Sequence, residues 1–254
     1  MTDLMTANYS LFYQYDGAMP ARFREVRVFD ATVWTAEGAA MTWGEESRTV
    51  HAGDASARAA YTAFCAAALS EGYTLERASL IDPAVFDAPL LQALLVTATR
   101  QAVAFVRAAH PDQHFNAWAL LSDDSAMTIS LLANSREALA TAEDENEMFW
   151  NPGEWQFDEC GEYFDSAYRL LLQAHRDLPF AVDFEVFRTS AFEACIAALE
   201  LLAAEGLFGT GVEREETLVL FEVSDSEELD GVLERLNTPA MVARLAEWKA
   251  SWDQ

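Results

Sequence analysis

Two histidines four residues apart, His110 and His114, are the first candidates for chemistry in this sequence. On a helix this spacing puts both imidazole rings on one face, where they can bind a transition metal. Pro111 lies between them, however, and a proline ends the helix near His110. No third ligand follows in a pattern such as HExxH. We therefore predict no metal site here and no cofactor elsewhere in the chain.

Other residues that do chemistry occur without the spacing that the chemistry needs. Gly206, Gly209 and Gly211 follow a predicted helix and precede a strand, whereas a phosphate cradle needs glycines at the start of a helix. Asp123 and Asp124 could hold a hard cation, but adjacent aspartates are common in tight turns. GxSxG and Walker motifs do not occur. An enzyme with an unrecognised carboxylate site is therefore only an alternative to a binding protein.

The segment from residue 143 to residue 162 combines acidic and aromatic side chains. Its acidic residues are Glu143, Asp144, Glu145, Glu147, Glu154, Asp158, Glu159 and Glu162, and its aromatic residues are Phe149, Trp150, Trp155 and Phe157. Aromatic anchors provide contact energy at interfaces, and carboxylates at the rim steer a basic partner. We predict partner-binding residues at Trp150, Glu154, Trp155, Asp158 and Glu159. The alternative is a solvated acidic surface whose aromatic rings fill the core.

The net charge restricts the class of partner. The 254 residues include 42 acidic and 16 basic side chains, a formal net charge of −26. Residues 1–82 carry eleven acidic and six basic side chains, a net charge of −5, so residues 83–254 carry −21. A field of this sign repels nucleic acid and anionic membranes and attracts basic proteins. The leading hypothesis is therefore a non-enzymatic acidic protein that binds a basic protein.

The cysteines indicate a reducing compartment. Cys65, Cys160 and Cys195 are far apart and form no CxxC pair, which argues against disulfides and a structural zinc site. Cys65 and Cys195 fall on apolar helical stripes and are predicted core residues, whereas the pattern around Cys160 is less decisive. Charged or polar residues interrupt the apolar runs, and Met1–Ser10 lacks the basic start of a secretion signal. We expect a cytoplasmic protein.

Periodicity predicts an α+β fold in two domains, residues 1–80 and 81–254. In the first domain, alternating residues predict strands over 11–15, 23–29, 32–35 and 40–43. A helix then begins at Asp54 and ends at Gly72. Its apolar face consists of Tyr61, Phe64, Cys65, Ala68 and Leu69. The first domain is therefore a small antiparallel sheet with one helix across it.

Trp43 and Gly44, together with the strand 25–28 and the Glu-Gly-Tyr stretch 71–73, make residues 8–77 resemble the WGR domain. The resemblance implies a sheet backed by one helix. In the poly(ADP-ribose) polymerase members of that family, the Trp and Arg of the motif contact DNA ends. This chain has Glu45 in place of the arginine, followed by Glu46, so a phosphate would meet two carboxylates. Nucleic-acid binding is therefore the second hypothesis, with Trp43, Arg22, Arg24, Arg27 and Arg48 as its surface.

The second domain is predicted to contain many helices and a small sheet. The first predicted helix runs from the cap Asp82-Pro83 to about Ala109, and strands follow over 115–121 and 126–131. Three helices come next: from Asn134 or Ser135 to 143–147, along 164–174, and along 192–203, where Gly206 ends the last one. A strand over 217–223, a capping box at Ser224 and Glu227, and a helix from Thr238-Pro239 to about Trp252 complete the domain.

Three stretches of the second domain, 110–115, 133–139 and 151–155, resemble a bacterial domain of unknown function, family 4303. The resemblance covers residues 88–250 and implies no activity. Some small acidic bacterial families are immunity proteins that neutralise toxins. By this analogy, we expect the basic partner to be a toxin or nuclease that the chain inhibits.

Overall fold

The computed structural model describes residue 4 and residues 6–82, 85–181, 183–224 and 231–251, with the side chains of 177–181 and 251 left aside. The chain forms two compact units, Met1–Val85 and Phe86–Gln254. The predicted boundary lies after residue 80. The chain remains tied to the first unit through Ile81, because the Asn8 amide donates to the Ile81 oxygen at 2.8 Å and accepts from the Ile81 N–H at 2.7 Å.

The first unit contains a five-stranded antiparallel sheet. Its strands are β1 (Tyr9–Asp16), β2 (Met19–Phe29), β3 (Thr32–Ala39), β4 (Glu45–Val50) and β5 (Thr74–Ser79), in the order β4-β3-β2-β1-β5. Tight turns at Gly17 and Asp30 join the first three strands, and both residues have positive φ. Glycine and aspartate tolerate this conformation better than other residue types.

Helix α1 (Asp54–Ser70) lies on one face of this sheet. It buries Ala57, Tyr61, Cys65 and Ala68, which recur every three or four residues. On the sheet, the residues packed in the same core are Phe12, Val26, Val28 and Val33. The other face is also buried, at Tyr9, Leu11, Tyr13, Phe23 and Ala36. Glu25 and Arg27 of β2 are buried on this second face as well, so it combines apolar and charged side chains.

Three details of the first unit differ from the predictions. The stretch 40–43 is a turn and not a strand, because Met41 and Gly44 have positive φ. The N-cap of α1 is Gly53, with Asp54 in the first turn. Strand β5 is not predicted, since its sequence TLERAS has few apolar residues to mark it. It forms because β1 offers it an edge for pairing.

The second unit contains a three-stranded mixed sheet. Its strands are β6 (Phe115–Asp123), β7 (Ile129–Ser135) and β8 (Leu218–Ser224), in the order β7-β6-β8. β6 and β7 form the predicted hairpin, although β7 begins at Ile129 and not at Ala126, where φ is positive. β8 pairs with β6 in parallel. The carboxylate of Asp123 accepts hydrogen bonds from the backbone N–H groups of Ser125 and Thr128, so it stabilises the hairpin turn.

Helices surround this sheet. They are α2 (Ala88–Ala109), α3 (Arg136–Leu139), α4 (Glu145–Trp150), α5 (Asp165–Ala181), α6 (Phe184–Ala204), α7 (Val212–Glu216), α8 (Val232–Leu236) and α9 (Pro239–Ser251), with 3-10 turns at Pro152–Glu154 and Gly161–Phe164. Trp118 and Val219 on one face of the sheet share a core with α2 and α6. Ala117 and Leu218 on the other face share a core with α4 and α9. The α+β class is confirmed in both units.

The predicted helix boundaries of the second unit need two corrections. Helix α2 begins at Ala88 and not at the Asp82-Pro83 pair, and its N-cap is Asp87, which accepts from the Leu90 N–H at 2.9 Å. The helix predicted from residue 134 or 135 to 143–147 is two helices, α3 and α4, separated by a turn. The predicted helical start at Pro83, the Glu227 cap and the helix end at Trp252 lie outside the described residues.

Among the described residues, α2 is long and apolar enough to cross a membrane by length and composition, with a mean hydropathy of 1.3. Polar residues do interrupt this helix, as expected, at Gln92, Thr97, Arg100 and Gln101. In the structure, its residues Leu91, Leu95, Ala98 and Ala102 are buried in the core of the second unit. A core helix has the same composition as a membrane span.

Candidate functional sites

The acidic segment 143–162 exposes its carboxylates and buries its aromatic rings. All eight acidic side chains are exposed. Trp150 and Trp155, by contrast, are only 9% and 7% exposed, and Phe149 and Phe157 are also buried. The indole N–H of Trp155 donates to the Met148 backbone oxygen at 2.9 Å. The predicted aromatic anchors therefore belong to the core, and Glu154, Asp158 and Glu159 remain as surface groups.

Four arginines of the second unit form ion pairs with acids outside this segment. Arg100 pairs with Glu205, Arg136 with Glu216, Arg188 with Asp124 and Glu185, and Arg235 with Glu193 and Glu200. In the part of the chain that the structure describes, Glu143, Glu145, Glu147, Glu154 and Asp158 form no ion pair. The segment 143–162 therefore keeps most of its negative charge.

The buried thiol of Cys160 lies inside this negative field. Burial raises the pKa of Cys160 to about 12, and the charges of Glu159, Glu162 and Asp158 add to the rise. All three cysteines of the chain are free and buried, as predicted for Cys65 and Cys195. Cys160 is therefore a core residue beneath an acidic surface.

Trp43, Gly44 and Glu45 lie where the turn after β3 enters β4. Gly44 has a φ of +71°, and a Cβ atom built on it would lie 2.5 Å from the ring of Phe23 and 2.8 Å from the backbone oxygen of Glu37. Trp43 is 47% exposed, and Glu45 is exposed at the start of β4. The glycine of the motif therefore has a packing role that is independent of any ligand.

The arginines of the first unit do not form one continuous patch. Arg24 forms ion pairs with Glu37 at 2.7 Å and Glu71 at 2.8 Å. Arg27 is buried, and its guanidinium lies 5.4 Å from the ring of Trp34. Since Arg24 and Arg27 are three residues apart on one strand, their side chains point to opposite faces of the sheet. Phosphates along one strand of nucleic acid could not meet both.

A polar cavity of about 420 Å³ lies at the start of β6 in the second unit. It is lined by Arg107, His110, Pro111, Gln113, His114, Phe115, Asn116, Arg136, Glu213 and Thr217. These residues come from the end of α2, the beginning of β6, the beginning of α3 and the segment that leads through α7 to β8. The parallel pairing of β8 with β6 brings the segment before β8 beside the beginning of β6, since Ala117 lies opposite Leu218.

Each cavity histidine is held by a glutamate. His114 Nδ1 lies 2.6 Å from Glu137, which also accepts from the His114 backbone N–H at 2.7 Å. His110 Nε2 contacts Glu159, and the ring of His110 packs on Phe157. Hydrogen bonds from the backbone and ring of His114 lower the pKa of Glu137 to about 2. One nitrogen of each imidazole is thereby occupied, and the other is left for a ligand.

The cavity brings together the two histidines that the sequence pattern singles out, although Pro111 does end helix α2 before them. No group of three or more metal-binding side chains occurs within the described residues. Arg107, Asn116 and Arg136 are not predicted, because arginine and asparagine at single positions have no distinctive sequence signal. An acidic protein thus contains a local site with two guanidinium groups and two imidazoles.

The folds of the two units and the cavity define an acidic α+β protein with a polar site in its second unit. Residues 95–238 match the family described as domain of unknown function (DUF4303). The match covers more than half of the chain, and the chain belongs to this family. All residues that line the cavity lie within the matched range. The predicted resemblance of the second domain is confirmed, and the WGR resemblance of the first domain stays a prediction.

Other comparisons add little. No curated protein matches the chain. A solved structure of a protein from Bacteroides fragilis is 19% identical and covers 27% of this chain, with a TM-score of 0.25. This chain spans only 19% of that protein's length. A likeness of this size carries no argument about fold or function.

Proposed function

We propose that this chain is a non-enzymatic binding protein that recognises a basic protein partner through the carboxylates of residues 143–162. The observation that carries the proposal is the lack of ion pairs for five of these exposed carboxylates in the described part of the chain. By analogy with small acidic immunity proteins, the partner is a toxin or nuclease that the chain inhibits.

The electrostatics of the second unit support a cationic partner. Only two carboxylates of the described residues are buried, Glu25 and Asp165, so the acidic charge lies on the surface. Surface charge steers association and raises the on-rate more than it raises affinity. Each exposed ion pair formed with a partner contributes roughly 0.2–1 kcal/mol. Several such pairs, and not one dominant contact, would therefore provide the charge-dependent part of the affinity.

The experiment uses purified products of the genes adjacent to the gene for this chain. Binding is measured by calorimetry at low and at physiological salt, with the intact chain and with a variant carrying Glu145→Gln, Glu147→Gln, Glu154→Gln and Asp158→Asn. We expect one product to bind, an affinity that falls with salt, and a loss of about tenfold or more in the variant.

The matched control removes four charges elsewhere, with Gln at positions Glu45, Glu215, Glu234 and Glu247, all of which are exposed. Its net charge equals that of the first variant, so it separates a local surface from an overall field. We expect the control to bind as the intact chain does. Absence of binding among the neighbouring products, or binding indifferent to salt, contradicts the proposal.

Nucleic-acid association through the first unit is a second candidate. It is favoured by the half-exposed ring of Trp43 and by the exposed guanidinium of Arg48. It is opposed by the two exposed carboxylates Glu45 and Glu46 beside them. A gel-shift series with blunt-ended duplex DNA at low salt tests it, and Trp43→Ala is the informative variant. No shifted band at micromolar protein would end this candidate.

A further inference from the structure

The cavity at the start of β6 contains groups whose hydrogen-bonding capacity is unused. Asn116 is only 8% exposed, yet its side-chain oxygen Oδ1 is buried without a hydrogen-bond partner. A buried polar atom left unpaired costs roughly 1–3 kcal/mol, so such an atom needs an explanation. A ligand with a hydroxyl or amine group in the cavity would supply the missing donor.

A β-bulge positions Asn116. Phe115 lies opposite Ser135 and Ala117 lies opposite Asn134, so Asn116 has no partner on β7. A bulge re-aims a side chain that regular pairing would direct to one face of the sheet, and bulges are common beside functional sites. The backbone of β6 therefore departs from regular pairing at Asn116, which lines the cavity.

Arg107 is one of the two arginines that line the cavity. Its side chain is exposed, and its guanidinium lies 5.5 Å from the ring of Trp118. It forms no ion pair within the described residues, although the chain has an excess of acids. Arg136, in contrast, is engaged by Glu216. A guanidinium without an ion pair among the described residues has its planar fork available for an oxyanion.

Further donors surround Arg107. The side-chain oxygen of Gln113 accepts from the Ser135 hydroxyl, which leaves the amide NH₂ of Gln113 for another acceptor. The nitrogens of His110 and His114 that do not contact glutamate are available as well. Glu213 and the Asn116 oxygen supply acceptors. The cavity therefore combines donors for an acid group with acceptors for hydroxyl or amine groups.

We propose that this cavity binds a small organic oxyanion, a phosphate or carboxylate compound that also carries hydroxyl or amine groups. The acid group pairs with Arg107, and a hydroxyl or amine donates to Asn116. The volume of about 420 Å³ suits a ligand of the size of a sugar phosphate and exceeds the need of inorganic phosphate alone. Of the acidic segment 143–162, Glu159 contacts the cavity residue His110, but the four carboxylates substituted in the test above do not line the cavity, so either proposal can fail without the other.

Titration calorimetry tests the proposal with four probes: ribose 5-phosphate, citrate, inorganic phosphate and uncharged ribose. We expect saturable binding of ribose 5-phosphate or citrate, weaker binding of inorganic phosphate and none of ribose. The first two probes distinguish a phosphate ligand from a carboxylate ligand. No saturable binding of either organic anion at millimolar concentration overturns the proposal.

Arg107→Gln is the decisive variant, and Arg100→Gln is its matched control. Arg100 lies two turns earlier on α2 and pairs with Glu205 outside the cavity. We expect Arg107→Gln to weaken binding roughly tenfold to a hundredfold, because a charge-assisted hydrogen bond is lost, and Arg100→Gln to have no effect. Equal losses in the two variants would mean binding to charge alone and would overturn the proposal.

Two further measurements keep the test decisive. Asn116→Ala should remove the preference for ribose 5-phosphate over inorganic phosphate while phosphate binding remains. If Arg107→Gln does not fold, amide chemical shifts of the unchanged chain are followed during titration with ribose 5-phosphate. Shifts concentrated in residues 107–116, 135–137 and 213–217 support the site, and shifts concentrated elsewhere overturn it.

Discussion

The substitution Gly44→Ala tests whether the Trp43-Gly44-Glu45 motif is maintained by packing. Gly44 has a φ of +71°, which costs a residue with a Cβ atom about 1–2 kcal/mol. The new Cβ would also lie 2.5 Å from the Phe23 ring and 2.8 Å from the Glu37 backbone oxygen. Overpacking of this kind costs about 1–3 kcal/mol. We therefore expect a loss of about 2–5 kcal/mol in the stability of the first unit.

Gly17→Ala is the matched control for the cost of the positive φ. Gly17 has a φ of +60°, and a Cβ atom built on it meets nothing within 4 Å. Its substitution should therefore cost about 1–2 kcal/mol from backbone strain alone. The difference between the two variants isolates the steric contribution of Phe23 and Glu37.

Native-state hydrogen exchange followed by mass spectrometry is the appropriate assay, since it reports the opening free energy of peptides from β2 and β3 separately from the second unit. Peptides over 19–39 should exchange faster in Gly44→Ala than in Gly17→Ala, and peptides over 115–135 should be unaffected. Equal losses in the two variants would refute the steric argument, and no loss in either would refute the backbone argument.

Three other predictions follow from buried or hydrogen-bonded groups. The three cysteines should not react with a thiol reagent in the native protein and should all react after unfolding in urea, because burial raises the pKa of each thiol. Asp165→Asn should cost about 3–5 kcal/mol in thermal or urea unfolding, since it removes a buried carboxylate 3.4 Å from the fully buried guanidinium of Arg169. The Glu137 carboxylate has a folded pKa of about 2, lowered from 4.5 by the N–H groups of His114. Its hydrogen bonds therefore stabilise the fold fully above about pH 4.5 and are lost as the pH falls through 2, so the melting-temperature difference from Glu137→Gln should disappear over that range.

Local patterns in the sequence predict much of the secondary structure. Tyr61, Cys65 and Ala68 recur at helical spacing, and they do form the buried face of α1. The hairpin of β6 and β7 follows from two strands joined by turn residues. Patterns fail where pairing is decided by a distant partner, as for β5, whose few apolar residues give no signal. They also fail at the start of α2, because Asp82 and Asp87 are both suitable N-cap residues and the helix begins after the second.

The sequence by itself determines the charge of the surface, the α+β class and the family resemblance of the second domain, because these depend on composition and on short motifs. Only the tertiary structure decides that Trp150 and Trp155 lie in the core, because the sequence around them is equally compatible with a surface position. It also decides the cavity, where Arg107, Asn116 and Glu213 meet because β8 returns to pair with β6. Contacts between residues so far apart in the chain depend on strand pairing, which no local spacing records.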